Sequence, residues 1–128
     1  MGDKRILVVD DQPVIREMFK RSFERAGFRV VTAQSAEEAL ELLSKTPCDV
    51  LFLDLDLPGM DGIELCRRVR KEWPMAIPYA VTGYTSLFQL TECREAGFED
   101  YFPKPAKMAD LKKAAEHAFE KLERWKQR

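Results

Sequence analysis

Short β-strand-like segments alternate with segments of helical spacing along almost the whole chain, and this alternation most constrains the fold. The segment ILVVD at 6–10 is a short, continuous, β-branched apolar run of the kind found in strands buried on both faces, and CDVLFLD at 48–54 is the most hydrophobic strand-like segment. Alternating strands and helices predict βαβ units and a doubly wound parallel sheet. The predicted strands cover residues 6–10, 28–33, 48–54, 77–83 and 100–102.

The predicted helices begin and end at residues with suitable capping chemistry. Pro13 lies in the first turn of the first helix, and Gly27 marks its end. Ser35 and Glu38 are three residues apart, as in a capping box at the start of the second helix. The third helix should close before Pro74. The remaining helical patterns are those of residues 86–96 and of the chain from residue 108 onward.

We therefore predict a single α/β domain with a flavodoxin-like (βα)5 fold and strand order 2-1-3-4-5. In such sheets the ligand site lies outside the carboxyl ends of the first and third strands. Asp10, Thr82 and Lys104, each taken alone, are more typical of a helix cap, a turn or a solvated surface, whereas Asp54 alone fits a structural and a functional role equally well. Four separate segments nevertheless bring such residues to one edge, which favours a functional site. These residues are Asp10, Asp11, Asp54, Thr82 and Lys104.

The predicted cluster of three aspartates needs a counter-charge. Two carboxylates 4 Å apart repel by about 4 kcal/mol at an effective dielectric constant near 20. A site with carboxylates and without His or Cys favours Mg²⁺ over Zn²⁺. An aspartate beside Mg²⁺ can attack phosphorus and form an aspartyl phosphate. Lys104 would then offer a cation, and Thr82 a hydroxyl donor, to the phosphoryl oxygens.

Composition excludes several classes of function. With 21 Lys and Arg against 22 Asp and Glu, the net charge is −1 and gives no overall attraction to nucleic acid or an anionic membrane. The apolar runs are too short for a membrane span, and the N-terminus lacks a signal-peptide layout, so we expect a cytoplasmic protein. The cysteines form no CxxC pair and are expected to be reduced and mostly buried; they are Cys48, Cys66 and Cys93.

Four motifs together resemble the receiver domain of bacterial two-component response regulators. They are VVDDQ at 8–12, FLDLDLPGMDG at 52–62, VTGY at 81–84 and YFPKPA at 101–106. The resemblance extends from Arg5 to about Leu122. It implies a switch protein rather than an enzyme with free substrate turnover. A sensor histidine kinase or a histidine phosphotransfer protein would donate the phosphoryl group, and the output would act on a downstream protein or a fused effector.

The same resemblance implies roles for individual residues. Asp54 would be the phosphoacceptor, while Asp10, Asp11 and the backbone carbonyl of Asp56 would join it in holding Mg²⁺. Thr82 and Lys104 would bind the phosphoryl group, and Thr82 would also act in the switch. Tyr101 would be the aromatic switch residue, and Asp56 and Tyr84 would tune the rate of dephosphorylation. The Lys104–Pro105 peptide bond would be cis. Pro103 and Ala106 depart from the commoner pattern without touching this chemistry.

Two alternatives stay open on the sequence. The Asp54-Leu55-Asp56 motif also resembles the nucleophile motif of haloacid-dehalogenase-type phosphatases, although here it lies on the third strand and not an early one. A degenerate receiver that acts only as a binding module is the other alternative. The intact Asp11, Asp54, Thr82 and Lys104 argue against it.

The C-terminal helix is long and basic. From Lys104 onward, eight basic and four acidic residues give a local charge of +4. We expect its last turns, about residues 121–128, to extend past the sheet, within one domain that covers residues 1–128. Trp125 there suggests docking on a partner or a second copy, including a phosphorylation-dependent homodimer. The apolar seam of this helix is expected at Leu111, Ala115, Ala118, Leu122 and Trp125.

Overall fold

The computed structural model describes residues 4–83 and 86–127, and strands alternate with helices throughout them. The sheet is parallel, with the order β2-β1-β3-β4-β5, so the predicted flavodoxin-like fold is confirmed. The strands are β1 (Arg5–Val9), β2 (Arg29–Ala33), β3 (Val50–Asp54), β4 (Ile77–Thr82) and β5 (Asp100–Pro103). The helices are α1 (Pro13–Arg25), α2 (Ala36–Lys45), α3 (Gly62–Glu72), α4 (Leu87–Ala96) and α5 (Met108–Lys126).

The sheet separates two hydrophobic cores of different composition. Successive residues of a strand face opposite sides, so Val50 and Phe52 enter one core while Leu51 and Leu53 enter the other. The core beneath α1 and α5 is rich in aromatic rings, including Phe23 stacked 5.0 Å from Phe52. The core beneath α2, α3 and α4 is mostly aliphatic. Burial on both faces explains the continuous apolar character of the central strands.

The helix boundaries follow the predicted capping chemistry, with one difference. Ser35 Oγ accepts the N–H of Glu38 at 3.1 Å and caps α2 as predicted. The Glu38 carboxylate accepts the N–H of Gln34 at 2.8 Å, one residue before the partner expected in a capping box. Gly97, at the end of α4, has a φ of +105° and closes the helix in the left-handed conformation.

Helix α4 leaves two large apolar side chains in solvent. It buries only Cys93 and Ala96, whereas Leu87 is 81% exposed and Phe88 is 73% exposed. Its apolar residues do not fall on one stripe, so the helix cannot bury them all on one side.

Helix α5 packs on the sheet through most of its length. Leu111, Ala115, Ala118 and Leu122 are buried, in agreement with the predicted seam, and Trp125 is 59% exposed. Near its end the Lys126 ammonium lies 3.5 Å from the Asp49 carboxylate, at the beginning of β3. Within the described residues, none of the helices has the length and apolar character needed to cross a membrane. The three cysteines are free and buried, as predicted.

Candidate functional site

The carboxyl edge of the sheet gathers the five polar residues predicted from the sequence. Asp10 follows β1, Asp54 ends β3, Thr82 ends β4, and Lys104 follows β5. Asp10, Asp54 and Thr82 are buried, and Asp11 is exposed. One carboxylate oxygen from each of the three aspartates lies within 4.8 Å of the other two. The parallel sheet thus brings residues far apart in the sequence into one acidic cluster.

Asp10 is held at every polar atom. Its Oδ1 accepts the N–H of Gln12 at 2.9 Å, and its Oδ2 accepts from the Lys104 ammonium at 2.9 Å. Its own N–H donates to the carbonyl of Ala33 at 3.1 Å, and its carbonyl accepts from the Arg16 guanidinium at 2.7 Å. Since both of its carboxylate oxygens are engaged, Asp10 is fixed in place, and the neighbouring Asp11 offers its carboxylate to solvent.

Asp54 lies between the same lysine and the following loop. Its Oδ1 accepts the N–H of Asp56 at 3.2 Å, and its Oδ2 lies 3.4 Å from the Lys104 ammonium. Burial raises the pKa of Asp54, the Asp56 N–H and Lys104 partly oppose this rise, and the Asp10 charge adds to it. Lys104 has a raised pKa, because its hydrogen bond to Asp10 and the nearby Asp54 charge outweigh its burial. Lys104 therefore remains a cation.

The arrangement suits a hard divalent cation. Two unit negative charges 4.8 Å apart repel by about 3.5 kcal/mol at an effective dielectric constant of 20, and Lys104 supplies only one positive charge against three carboxylates. The oxygen-only donor set of this cluster matches the preference of Mg²⁺ for carboxylates, carbonyls and water. Asp10, Asp11 and Asp54 are the side chains that could hold such an ion.

The loop after Asp54 is fixed against the start of α3. Asp61 caps this helix by accepting the N–H of Glu64 at 2.9 Å, and the N–H of Gly62 donates to the Leu55 carbonyl at 3.1 Å. A Cβ at Gly62 would lie 2.2 Å from the Asp54 carbonyl oxygen, so only glycine fits there. The helix therefore approaches the backbone of Asp54 directly.

Three residues that support the site were missed in the sequence. Gly62 had a local signal, since it follows Asp61 in a turn-rich segment. Arg16 and Glu37 had none, because each contacts the site from a helix. Arg16 reaches Asp10 from α1, and the Glu37 carboxylate on α2 accepts the N–H of Met60 at 3.2 Å.

The remaining predicted residues lie around this cluster. The N–H of Lys104 donates to the Thr82 carbonyl at 2.8 Å, and the Lys104–Pro105 peptide bond is cis. Asp56 is exposed beside Asp54. Tyr101 is 38% exposed and lines a groove of about 350 Å³ between α4 and β5. The predicted rate-tuning residue Tyr84 lies outside the described residues.

Comparison with known proteins agrees with this geometry. The sequence model of the response regulator receiver domain family matches residues 6–116 of this chain. This chain belongs to the response regulator receiver domain family. A solved receiver domain, CheY-like and from Methanospirillum hungatei JF-1, superimposes on this one with a TM-score of 0.92 and 32% identity. The alignment covers 96% of this receiver domain and 98% of that chain.

Curated relatives of the receiver domain are longer proteins. The response regulator MprA of Mycolicibacterium vanbaalenii is 36% identical over 107 residues, which are 84% of this chain and 46% of the relative. A cyclic di-GMP phosphodiesterase of Thermotoga maritima is 33% identical over 113 residues, 88% of this chain and 30% of the relative. The receiver domain thus spans less than half the length of these relatives. The comparisons give no support to the haloacid-dehalogenase-type alternative.

Proposed function

We propose that this receiver domain accepts a phosphoryl group on Asp54 from a phosphohistidine, in a reaction that requires Mg²⁺. The observation that carries the proposal is the cluster of Asp10, Asp11 and Asp54, with carboxylate oxygens within 4.8 Å of one another and Lys104 bound to two of them. The donor is a sensor histidine kinase or a histidine phosphotransfer protein, in keeping with the family.

The transfer exchanges one bond to phosphorus for another. An Asp54 carboxylate oxygen forms the new P–O bond while the P–N bond of the phosphohistidine breaks and the imidazole nitrogen leaves with the electron pair. Asp10, Asp11, Asp54 and the Asp56 carbonyl would hold the ion, which would supply charge neutralisation for the transferring oxygens. Three carboxylates and one ammonium carry a formal charge of −2, which a divalent cation balances.

The remaining residues bind the product and transmit its presence. The Lys104 ammonium, 3.4 Å from Asp54, pairs with a phosphoryl oxygen, and the Thr82 hydroxyl donates to another. Movement of Thr82 leaves space for Tyr101, and the surface around Tyr101 changes its contacts. The exposed carboxylate of Asp56 repels hydroxide and influences the lifetime of the phosphoryl group together with Tyr84.

The proposal extends to the setting of the receiver domain. It acts as a signalling switch without turnover of a free substrate, its output reaches a downstream protein or fused effector, and it contacts neither nucleic acid nor membrane directly. A cytoplasmic location is part of the proposal, in keeping with the family. Extension of about residues 121–128 toward a partner or a second copy, including a phosphorylation-dependent homodimer, also remains a proposal.

Incubation with acetyl phosphate and Mg²⁺, followed by intact mass measurement, tests the proposed chemistry. The wild type should gain about 80 Da, one phosphoryl group, and the Asp54→Asn variant should gain nothing. A chain that stays unmodified would instead be a degenerate receiver, and repeated turnover of a generic phosphomonoester would indicate a phosphatase. Labelling that persists in Asp54→Asn would place the acceptor elsewhere.

A further inference from the structure

Arg16, on the first turns of α1, reaches back to the end of β1. Its guanidinium donates to the backbone carbonyl of Asp10 at 2.7 Å in a partly buried position. A hydrogen bond from a charged donor at this distance is at the short, strong end of the range. Other arginines of α1 behave differently: Arg21, for example, is exposed and pairs with Glu17 on its own helix at 3.2 Å.

The turn between β1 and α1 is held through Asp10, since the N-cap residue of α1 supplies no side-chain capping bond. Gln12 occupies the N-cap position of α1 and makes no side-chain capping bond, and Pro13 follows it. The turn carries Asp10 and Asp11, two of the three acidic side chains of the cluster. Asp10 and Asp11 are consecutive, so rotation of the backbone at Asp10 would redirect the Asp11 carboxylate as well. Arg16 holds the carbonyl that this rotation would move.

We infer that Arg16 is a positioning residue for the metal site: its guanidinium fixes the backbone of Asp10 and thereby sets the direction of the Asp10 and Asp11 carboxylates. This inference rests on the proposed function of the same site. A purely electrostatic role would have the opposite sign, since a nearby cation weakens the binding of Mg²⁺. Removal of Arg16 therefore distinguishes positioning, which loses affinity, from charge repulsion, which gains it.

The experiment compares the wild-type chain with Arg16→Met, Arg16→Lys and the matched control Arg21→Met. Calorimetric titration with MgCl₂, without any phosphoryl donor, gives the dissociation constant for the ion. Loss of a residue that orients metal ligands typically costs about 10- to 100-fold in affinity. We expect a loss of this size in Arg16→Met, partial recovery in Arg16→Lys because an ammonium can still donate, and no change in Arg21→Met.

A second measurement reports on the order of the turn between β1 and α1 in the absence of metal. The N–H of Gln12 donates to Asp10 Oδ1 at 2.9 Å, so its amide hydrogen exchange reports on the order of this turn. Exchange of this amide should be faster in Arg16→Met and unchanged in Arg21→Met. Unchanged exchange, or Mg²⁺ bound as tightly or more tightly in Arg16→Met, would overturn the inference. Absence of Mg²⁺ binding in the wild type would count against the proposed function, while Gln12 exchange would still decide whether Arg16 fixes the turn.

Discussion

Substitution of Gly62 by alanine adds one methyl group at the point where α3 meets the backbone at the end of β3. The added Cβ would lie 2.2 Å from the Asp54 carbonyl oxygen and 2.9 Å from the Leu55 Cα. Ordinary contact begins at 3.4 Å, so the helix must retreat by about 1.2 Å from that oxygen. The three nearest atoms are all backbone, so rotation of a side chain cannot relieve these contacts.

This overpacking sets the size of the effect. Forcing an extra carbon into a packed site costs about 1–3 kcal/mol, and the better helix propensity of alanine offsets less than about 1 kcal/mol at a helix start. For a chain of this length, 1 kcal/mol corresponds to roughly 3–5 °C in melting temperature. With that offset the net cost is at most about 3 kcal/mol, so we expect Gly62→Ala to melt below the wild type by up to about 15 °C. It should also take up the phosphoryl group more slowly, because the backbone of Asp54 shifts.

Thermal unfolding followed by circular dichroism, with Gly83→Ala as the matched control, measures this difference. A Cβ at Gly83 meets nothing within 4 Å, and its φ is outside the left-handed range. Alanine there should leave stability unchanged or raise it by about 0.4–1 kcal/mol through the unfolded state. Equal melting temperatures for the two variants would refute the close approach of α3 to Asp54.

Further predictions concern charge, metal and core. Because burial raises the pKa of Asp54 above 3.8, the folded state binds its proton more tightly than the unfolded state does. Metal-free Asp54→Asn should therefore be more stable than the wild type at pH 7, with an advantage that disappears toward pH 3; equal melting curves at pH 7 in EDTA would contradict this. Mg²⁺ at ten times its dissociation constant should add about 1.4 kcal/mol to wild-type stability, and Asp11→Ala should show no gain at the same concentration. Phe23→Ala, which empties a fully buried site stacked on Phe52, should cost about 3–5 kcal/mol in urea unfolding; a loss below 1 kcal/mol would contradict that packing.

The fold and the acidic cluster were predictable because both depend on strand order. Asp10 and Asp54 are far apart in the sequence, but parallel strands necessarily end at the same edge, so a correct topology brings them together. Arg16 was not predictable, because its role depends on which face of α1 turns toward β1. The exposure of Leu87 was also beyond the sequence, since an apolar residue on a helix without a clear stripe has no assigned side.

The positions of the two tryptophans have a spectroscopic consequence. Trp73 is the C-cap residue of α3, a helix that starts beside Asp54 and runs back along the sheet. Trp125 precedes Lys126, which pairs with Asp49 at the start of β3. Both residues therefore lie toward the end of the sheet opposite the acidic cluster, and five-residue strands span about 17 Å. An ion or beryllofluoride at Asp54 cannot quench either indole by contact. A change in tryptophan emission on adding such a ligand would therefore report a rearrangement at a distance from Asp54, and would give an optical measure of the proposed switch.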